Sequence, residues 1–114
     1  MQQGLSEHWR KLTVQGVADA IRIPIENWPG NCNWIALAAL RGRLGPGRVI
    51  YGTAEFASEV DYHAWLELDD SNIVDFTRWH YEGVGPYLYI GDSAGYSAFP
   101  PPEEPAWHAR LRRV

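Results

Sequence analysis

Three side chains in this sequence have the chemistry and the chain order of a thiol-based acyl-transfer site: Cys32, His63 and Asp75. A thiol attacks a carbonyl as its thiolate, and a neighbouring imidazole takes the thiol proton and later delivers it to the leaving amine. A carboxylate on the far side of the ring fixes the tautomer and stabilises the imidazolium. We therefore predict a triad in which Cys32 is the nucleophile, His63 the general base and acid, and Asp75 the residue that orients His63.

The predicted nucleophile stands at the start of an apolar run that indicates a helix over residues 32–44, with Asn31 as its N-cap. Unpaired backbone N–H groups and the helix dipole at that position favour the thiolate and lower its pKa. The run is apolar nearly all round, which is typical of a helix buried in the middle of a domain. Gly45, Pro46 and Gly47 are expected to end it.

The histidine and the aspartate lie on two runs with strand character, residues 62–68 and 73–77, separated by turn-forming residues. If the turn consists of residues 69–71, Trp65 stands opposite Asp75 and shares a face with His63. His63 is then a diagonal neighbour of Asp75, about 7–8 Å away at the backbone and within side-chain reach. A slip of one residue would move Asp75 to the opposite face, so the triad depends on this register.

The rest of the pattern predicts a single α+β domain over residues 1–114. An N-terminal helix is expected over about residues 5–21, interrupted near Gly16, followed by an extended loop over residues 23–30 and the catalytic core over about residues 30–79. Residues 48–52 and 87–90 indicate further strands, and a proline-rich tail begins at Pro100 within the C-terminal segment 87–114.

Composition narrows the class of protein. The hydrophobic fraction is 46%, with six tryptophans, so the chain is expected to fold, and the net charge of -4 gives no reason to expect a nucleic-acid partner. One cysteine forms no internal disulfide, and no signal-peptide pattern is present, which favours a reducing, cytoplasmic setting. No apolar run approaches the roughly 18 residues of a membrane span, so no membrane association is expected.

Metal and cofactor chemistry are not expected. The sequence has no Cys-x-x-Cys or His-x-x-x-His spacing to support a metal site, and no segment typical of cofactor binding. The remaining histidines have no matched partners and receive no role; they are His8, His80 and His108.

The motif blocks together resemble the transglutaminase-like family of the papain-like cysteine protease superfamily. The matching stretch runs from about residue 30 to 79 and comprises a cysteine opening a helix, a glycine-containing turn into a strand that ends in glycine, a His-Ala-Trp strand, and an aspartate and threonine close behind it. Those blocks are Cys32, Gly45-Pro46-Gly47 to Gly52, His63-Ala64-Trp65, and Asp75-Phe76-Thr77. Phe76 stands where the family usually has proline, and the short intervals between blocks resemble compact bacterial members such as lasso-peptide leader peptidases.

The resemblance implies a papain-like fold, with a central helix packed on a small antiparallel sheet, and the same three triad roles. It further implies a thiol-dependent hydrolase that acts on an amide bond of a protein or peptide substrate, as a cysteine peptidase or deamidase, through a thioester. The backbone N–H of Cys32 is the expected first oxyanion donor, with a second from the Asn27 amide or the Trp28 indole. Trp28, Trp34 and Trp65 are expected to line the cleft and exclude water.

Two alternatives remain open on the sequence alone. The chain could be a binding or inhibitor module that keeps the fold without turnover, although such proteins typically lose a triad member and this one has all three. The same triad would also permit acyl transfer or transamidation, in which an amine rather than water resolves the thioester.

Overall fold

The computed structural model of the protein describes residues 5–56 and 59–99, and within them the chain forms an α+β domain, as predicted. The helices are α1 Leu5–Arg10, α2 Val14–Ile21, α3 Cys32–Arg41 and α4 Arg78–Glu82, with a short 3-10 turn at Ile25–Asn27. The strands are β1 Arg48–Phe56, β2 Glu59–Glu67, β3 Ile73–Asp75, β4 Tyr89–Gly91 and β5 Tyr96–Ala98. The predicted proline-rich tail lies outside the described residues.

The five described strands form one antiparallel sheet in the order β4-β3-β2-β1-β5. The helix α3 packs against β2, and this contact joins the sheet to a core that also receives α1 and α2. Two buried indoles, Trp9 and Trp28, meet the ring of Phe76 edge-on at 5.7 and 6.2 Å between centroids. The core thus fixes the helix that begins at Cys32 relative to the strands that carry His63 and Asp75.

The helix α3 is buried along one side only, so the expectation of burial all round is wrong. Ile35, Ala36 and Ala39 are fully buried against the sheet, whereas Trp34 is 59% exposed. Burial at positions spaced by three and four residues is the pattern of an amphipathic helix on a domain surface. Ala36 and Ala39 are small, which allows the helix to lie close to the sheet on its buried side.

The helix α3 also ends three residues earlier than predicted, at Arg41. Arg43 adopts a left-handed conformation at φ 55°, and the N–H groups of Arg43 and Leu44 donate to the carbonyls of Leu40 and Ala39. These two hydrogen bonds are those of a Schellman motif, which closes a helix by capping its last carbonyls.

The N-terminal helix is interrupted at Thr13 rather than near Gly16. Thr13 has extended backbone angles, and its side-chain oxygen accepts a hydrogen bond from the N–H of Gly16 at 2.9 Å. Threonine is a favoured N-cap, and this cap starts the second helix where the sequence pattern alone suggested continuation.

The hairpin between β2 and β3 has the predicted register. Leu66 pairs with Val74 and Glu67 with Ile73, so the same register places Trp65 opposite Asp75. The turn spans residues 69–71, with Ser71 in the left-handed region at φ 71°. A residue in that region is the usual third member of a three-residue hairpin loop, and it sets which residues share a face.

Two elements that the sequence did not indicate complete the fold, α4 and β5. The strand β5 pairs with β1 alongside Gly52, where a Cβ atom would overlap the backbone carbonyl of Ser97 and lie 2.8 Å from the Cα atom of Ala98. Glycine is therefore required for the two strands to approach closely at this point. No helix among the described residues is long and apolar enough to cross a membrane.

Candidate functional site

The centre of the candidate site is a fully buried hydrogen bond between His63 and Asp75. The Nε2 atom of His63 lies 2.7 Å from Oδ2 of Asp75, and neither side chain has exposed surface. The two residues come from adjacent strands, and the three-residue hairpin turn gives them a common face. Because Nε2 is engaged by the carboxylate, the other ring nitrogen, Nδ1, is the one available to a thiol.

Asp75 receives hydrogen bonds from three different groups. Its Oδ1 accepts the backbone N–H of Thr77 at 3.0 Å, and its Oδ2 accepts the hydroxyl of Tyr96 at 2.7 Å in addition to the imidazole of His63. Every one of these partners donates, which only an ionised carboxylate can satisfy on both oxygens. The hydrogen bonds from Thr77 and Tyr96 thus hold the carboxylate in place with Oδ2 directed at His63.

Aromatic rings enclose the imidazole of His63. Trp65 stacks on it at 6.2 Å between centroids, and Phe56 and Tyr81 meet it edge-on at 5.4 and 5.3 Å. Burial among rings removes water from the ion pair and strengthens its electrostatic attraction. Trp65 lies beside His63 as predicted, but it is 2% exposed and packs behind the ring instead of lining the open cleft.

Cys32 is the first residue of α3 and lies half-buried in a pocket of about 220 Å³ that it shares with His63. The pocket is lined by Cys32, Asn33, Tyr51, Gly52, Tyr62, His63, Ala64 and Phe99. The side chain of Asn31, the N-cap residue, does not cap the helix, because its amide donates to the carbonyl of Asn27 at 2.7 Å. The helix N–H groups next to the thiol are thus left without a side-chain cap.

The thiol and the imidazole influence each other's protonation. Burial acts to raise the pKa of Cys32, but attraction to the neighbouring His63, with a smaller contribution from the backbone of Ala64, outweighs it and lowers that pKa from its usual value. Burial acts to lower the pKa of His63, but Asp75 and then Cys32 raise it to about 9. Both shifts favour a thiolate beside an imidazolium.

The Nδ1 atom of His63 is buried and has no partner of full hydrogen-bond geometry among the described residues. Since Asp75 occupies Nε2, Nδ1 is the ring nitrogen that remains for a contact with the thiol. A buried polar atom without a partner is costly, and such atoms occur at catalytic positions where a proton is about to move. Nδ1 thus belongs to a ring that lines the same pocket as Cys32 and has no hydrogen-bond partner among the described residues.

A cation, Arg78, lies among the aromatic rings next to Tyr96, whose hydroxyl donates to Asp75. The guanidinium of Arg78 stands 4.1 Å above the ring centroid of Tyr89 and 5.9 Å from that of Tyr96. Burial, followed by the charge of Asp75, raises the pKa of Tyr96, so its hydroxyl keeps its proton and continues to donate. Burial, followed by the charge of Cys32, likewise raises the pKa of Tyr81.

The remaining predicted cleft residues do not lie where they were expected. Trp28 is fully buried in the core, and its indole N–H donates to the carbonyl of Ile23 at 3.0 Å, so it is not free to stabilise an oxyanion. The Asn27 side chain is exposed, and neither Asn27 nor Trp34 is among the residues that line the pocket at Cys32. The predictions of an oxyanion donor at Asn27 or Trp28 and of a cleft lined by Trp28 and Trp34 are therefore wrong. Trp28 packs in the core, and Trp34 lies on the exposed side of the helix.

Several residues at the site were missed from the sequence. Tyr96, which holds Asp75, lies on a three-residue strand among small and polar residues that gave no strand signal. Tyr51, Tyr62 and Phe99 line the pocket at Cys32. Of these residues, Tyr62 could have been found from the sequence, because it directly precedes His63. A large aromatic residue next to a predicted catalytic residue is well placed to contact a substrate.

Comparison of the chain with models of protein families, with curated proteins and with solved structures gave no match. Within residues 5–56 and 59–99, no group of three or more histidine, cysteine, aspartate or glutamate side chains is arranged to hold a metal ion.

Proposed function

We propose that this protein is a cysteine hydrolase of papain-like, transglutaminase-like type that cleaves an amide bond of a protein or peptide through a thioester on Cys32. One observation carries the proposal: a buried His63–Asp75 hydrogen bond lies beside a thiol at a helix start, in an open pocket. Catalysis needs the reduced thiol, so we place the reaction in a reducing compartment such as the cytoplasm.

In the acylation step the thiolate of Cys32 attacks the substrate carbonyl, and the electron pair of the C=O bond moves to oxygen. The tetrahedral intermediate collapses as the C–N bond breaks, and the proton on Nδ1 of His63 passes to the departing amine. Asp75 holds the ring and stabilises its positive charge until that proton leaves. The products of this half-reaction are a thioester on Cys32, a free amine and a neutral imidazole.

The oxyanion of the intermediate lies close to the start of α3, where the backbone N–H of Cys32 is the proposed donor. That part of the helix has no side-chain cap, and its dipole favours negative charge. The N–H of Asn33, another residue that lines the pocket, is the proposed second donor in place of Asn27 or Trp28.

In the deacylation step the neutral imidazole of His63 removes a proton from water, and the resulting hydroxide attacks the thioester carbonyl. The C–S bond breaks, a carboxylic acid is released, and the thiolate–imidazolium pair is restored. An amine in place of water would give transamidation by the same steps.

Hydrolysis in water enriched in ¹⁸O tests this chemistry directly. The protein is incubated with a proteome-derived peptide library, and mass spectrometry follows the incorporation of one ¹⁸O into a new C-terminus, for a peptidase, or into a side-chain carboxyl, for a deamidase. We expect incorporation by the wild type and none by Cys32→Ala. Equal incorporation by both proteins would remove Cys32 from the mechanism, and products that form only when an amine is added would indicate transamidation.

The pH dependence of thiol alkylation tests the proposed ion pair. Because His63 lowers the pKa of Cys32, we expect iodoacetamide to alkylate Cys32 at a lower pH than an ordinary cysteine, which ionises at about 8.5. His63→Gln removes the two largest influences that lower this pKa and leaves burial, so its alkylation should move to a pH above that of an ordinary thiol. Identical profiles for the two proteins would contradict the pairing.

A third prediction concerns Tyr96, which donates to the same oxygen of Asp75 as His63 does. Tyr96→Phe leaves that oxygen with one donor fewer, so the carboxylate attracts the imidazolium more strongly and the pKa of His63 should rise above about 9. We expect the alkaline limit of turnover and the NMR titration of His63 to move to higher pH together.

Tyr89→Phe is the matched control for this experiment. It removes a hydroxyl from a ring that stacks on Tyr96. That hydroxyl donates to the carbonyl of Asp92 and makes no hydrogen bond to Asp75. A shift of equal size in both variants would show that ring packing rather than the hydrogen bond to Asp75 sets the profile.

A further inference from the structure

The pocket at Cys32 indicates which substrates the hydrolase would take, and this indication rests on the proposed function. Apart from Cys32 and His63, its side chains are three aromatic rings, an amide and two small residues, without a carboxylate or a guanidinium. A charged substrate group would find no counter-charge in this lining, whereas an apolar side chain would bury its surface there. The chemistry of the lining therefore favours an apolar group next to the thiol.

The aromatic rings of the pocket are unusually exposed. Tyr62 is 80% exposed, Phe99 50% and Tyr51 49%. Tyr62 and Phe99 contact each other with their ring planes tilted by 57° and their centroids 6.0 Å apart. Tyr62 belongs to β2, and Phe99 directly follows β5. Large aromatic side chains left open at one place on a surface are characteristic of a binding site. Here the exposed rings are continuous with the reacting thiol.

The size of the pocket limits what enters it. Sites that enclose a whole small molecule measure roughly 300–1,000 Å³, whereas this pocket measures about 220 Å³. The space is thus suited to one side chain of a longer substrate, with the rest of the chain outside.

We infer that Tyr51, Tyr62 and Phe99 form a specificity subsite that takes one aromatic or branched aliphatic side chain of the substrate, adjacent to the amide bond that Cys32 attacks. The main-chain carbonyl of that substrate lies at the helix start, and the neighbouring side chain lies against the exposed rings of Tyr51, Tyr62 and Phe99. The subsite selects the substrate by apolar contact and contributes no group to the chemistry.

Paired alkylating probes test this subsite without any knowledge of the natural substrate. The rates at which iodoacetamide and N-benzyl-iodoacetamide modify Cys32 are measured, and each is divided by its rate with glutathione, which corrects for intrinsic reactivity. An aromatic contact of ordinary strength predicts that the benzyl probe is favoured by roughly three- to tenfold in the wild type. Tyr62→Ser and Phe99→Ser should each abolish the preference, so that the corrected rates of the two probes become equal within each variant.

Val84→Ser is the control, because Val84 is 53% exposed and does not line the pocket. The inference is overturned if the wild type shows no preference for the benzyl probe, or if Val84→Ser loses that preference as completely as Tyr62→Ser does. These outcomes are separate from failure of the proposed function. The subsite can fail while ¹⁸O incorporation still depends on Cys32, and the benzyl preference can hold while ¹⁸O incorporation fails.

Discussion

Asp75→Asn is expected to lower the rate of Cys32-dependent hydrolysis by roughly 10²- to 10⁴-fold, although it preserves the shape of the side chain. The reason lies in the three donors around the carboxylate, His63, Thr77 and Tyr96. An asparagine places its NH₂ group at one of the two positions that the carboxylate oxygens of Asp75 occupy in the wild type. If it replaces Oδ1 it opposes the N–H of Thr77, and if it replaces Oδ2 it opposes the proton on Nε2 of His63.

Either orientation removes the support for an imidazolium. With the NH₂ group at Oδ2, the neutral ring must carry its proton on Nδ1, and it then has no lone pair directed at the thiol. The charge of Asp75 also repels the Cys32 thiolate, but this is the smallest influence on the thiol's pKa, so the loss of the charged imidazole dominates. The pKa of Cys32 should therefore rise in the variant.

The measurement combines ¹⁸O incorporation with the alkylation profile of Cys32. Asp69→Asn provides the control, because Asp69 is an exposed carboxylate in the turn of the same hairpin. Activity of Asp75→Asn within a few-fold of the wild type, with an unchanged alkylation profile, would show that the carboxylate does not orient the base.

Gly52→Ala is expected to produce the largest loss of stability from the addition of a single methyl group. The new Cβ would overlap the carbonyl oxygen of Ser97 and lie 2.8 Å from the Cα atom of Ala98, and both of these are backbone atoms of β5. No flexible side chain can move aside, so the edge strand itself must shift. Overpacking of this kind costs about 1–3 kcal/mol in the free energy of unfolding.

The same displacement should reach the proposed catalytic residues. Tyr96 pairs with Ala54 two residues along from Gly52, and its hydroxyl holds Asp75. A shift of β5 withdraws that hydroxyl, so Gly52→Ala should combine a lower free energy of unfolding with the pH shift expected of Tyr96→Phe. Urea denaturation measures the first effect and the alkaline limit of turnover measures the second.

Gly85→Ala separates the effect of crowding from the general effect of replacing a glycine. A Cβ atom at Gly85 meets no atom within 4 Å, and its φ is not positive, so this variant should be as stable as the wild type or slightly more stable. If both variants unfold at the same urea concentration as the wild type, the close approach of β5 to β1 is not a constraint on the fold.

The residues that sequence analysis placed best are those whose position depends on local chain geometry. The side chains of His63 and Asp75 share a face because the turn between their strands has three residues and side chains alternate along each strand. Both features can be deduced from neighbouring residues in the sequence. The start of α3 at Cys32 follows in the same way from the pattern of residues around it.

The residues that sequence analysis misplaced depend on contacts between distant segments. Trp28 was expected at the cleft, but its ring packs edge-on against Phe76 in the core. Tyr96 lies 21 residues after Asp75 on a strand too short to have a hydrophobic period, so nothing local connects the two. The exposed ring of Phe99 reaches the pocket only because Gly52 lets β5 approach β1.

Because His63 and Asp75 lie on one hairpin, the number of residues between them decides whether their side chains meet. These residues lie 12 positions apart, and adding or deleting one residue in the turn would reverse the direction of every side chain on one strand. Evolution can therefore change the composition of this interval far more freely than its length. The interval between Cys32 and the hairpin joins separate elements through loops, where insertions are tolerated, so divergent homologues should vary in length there while keeping the later spacing constant.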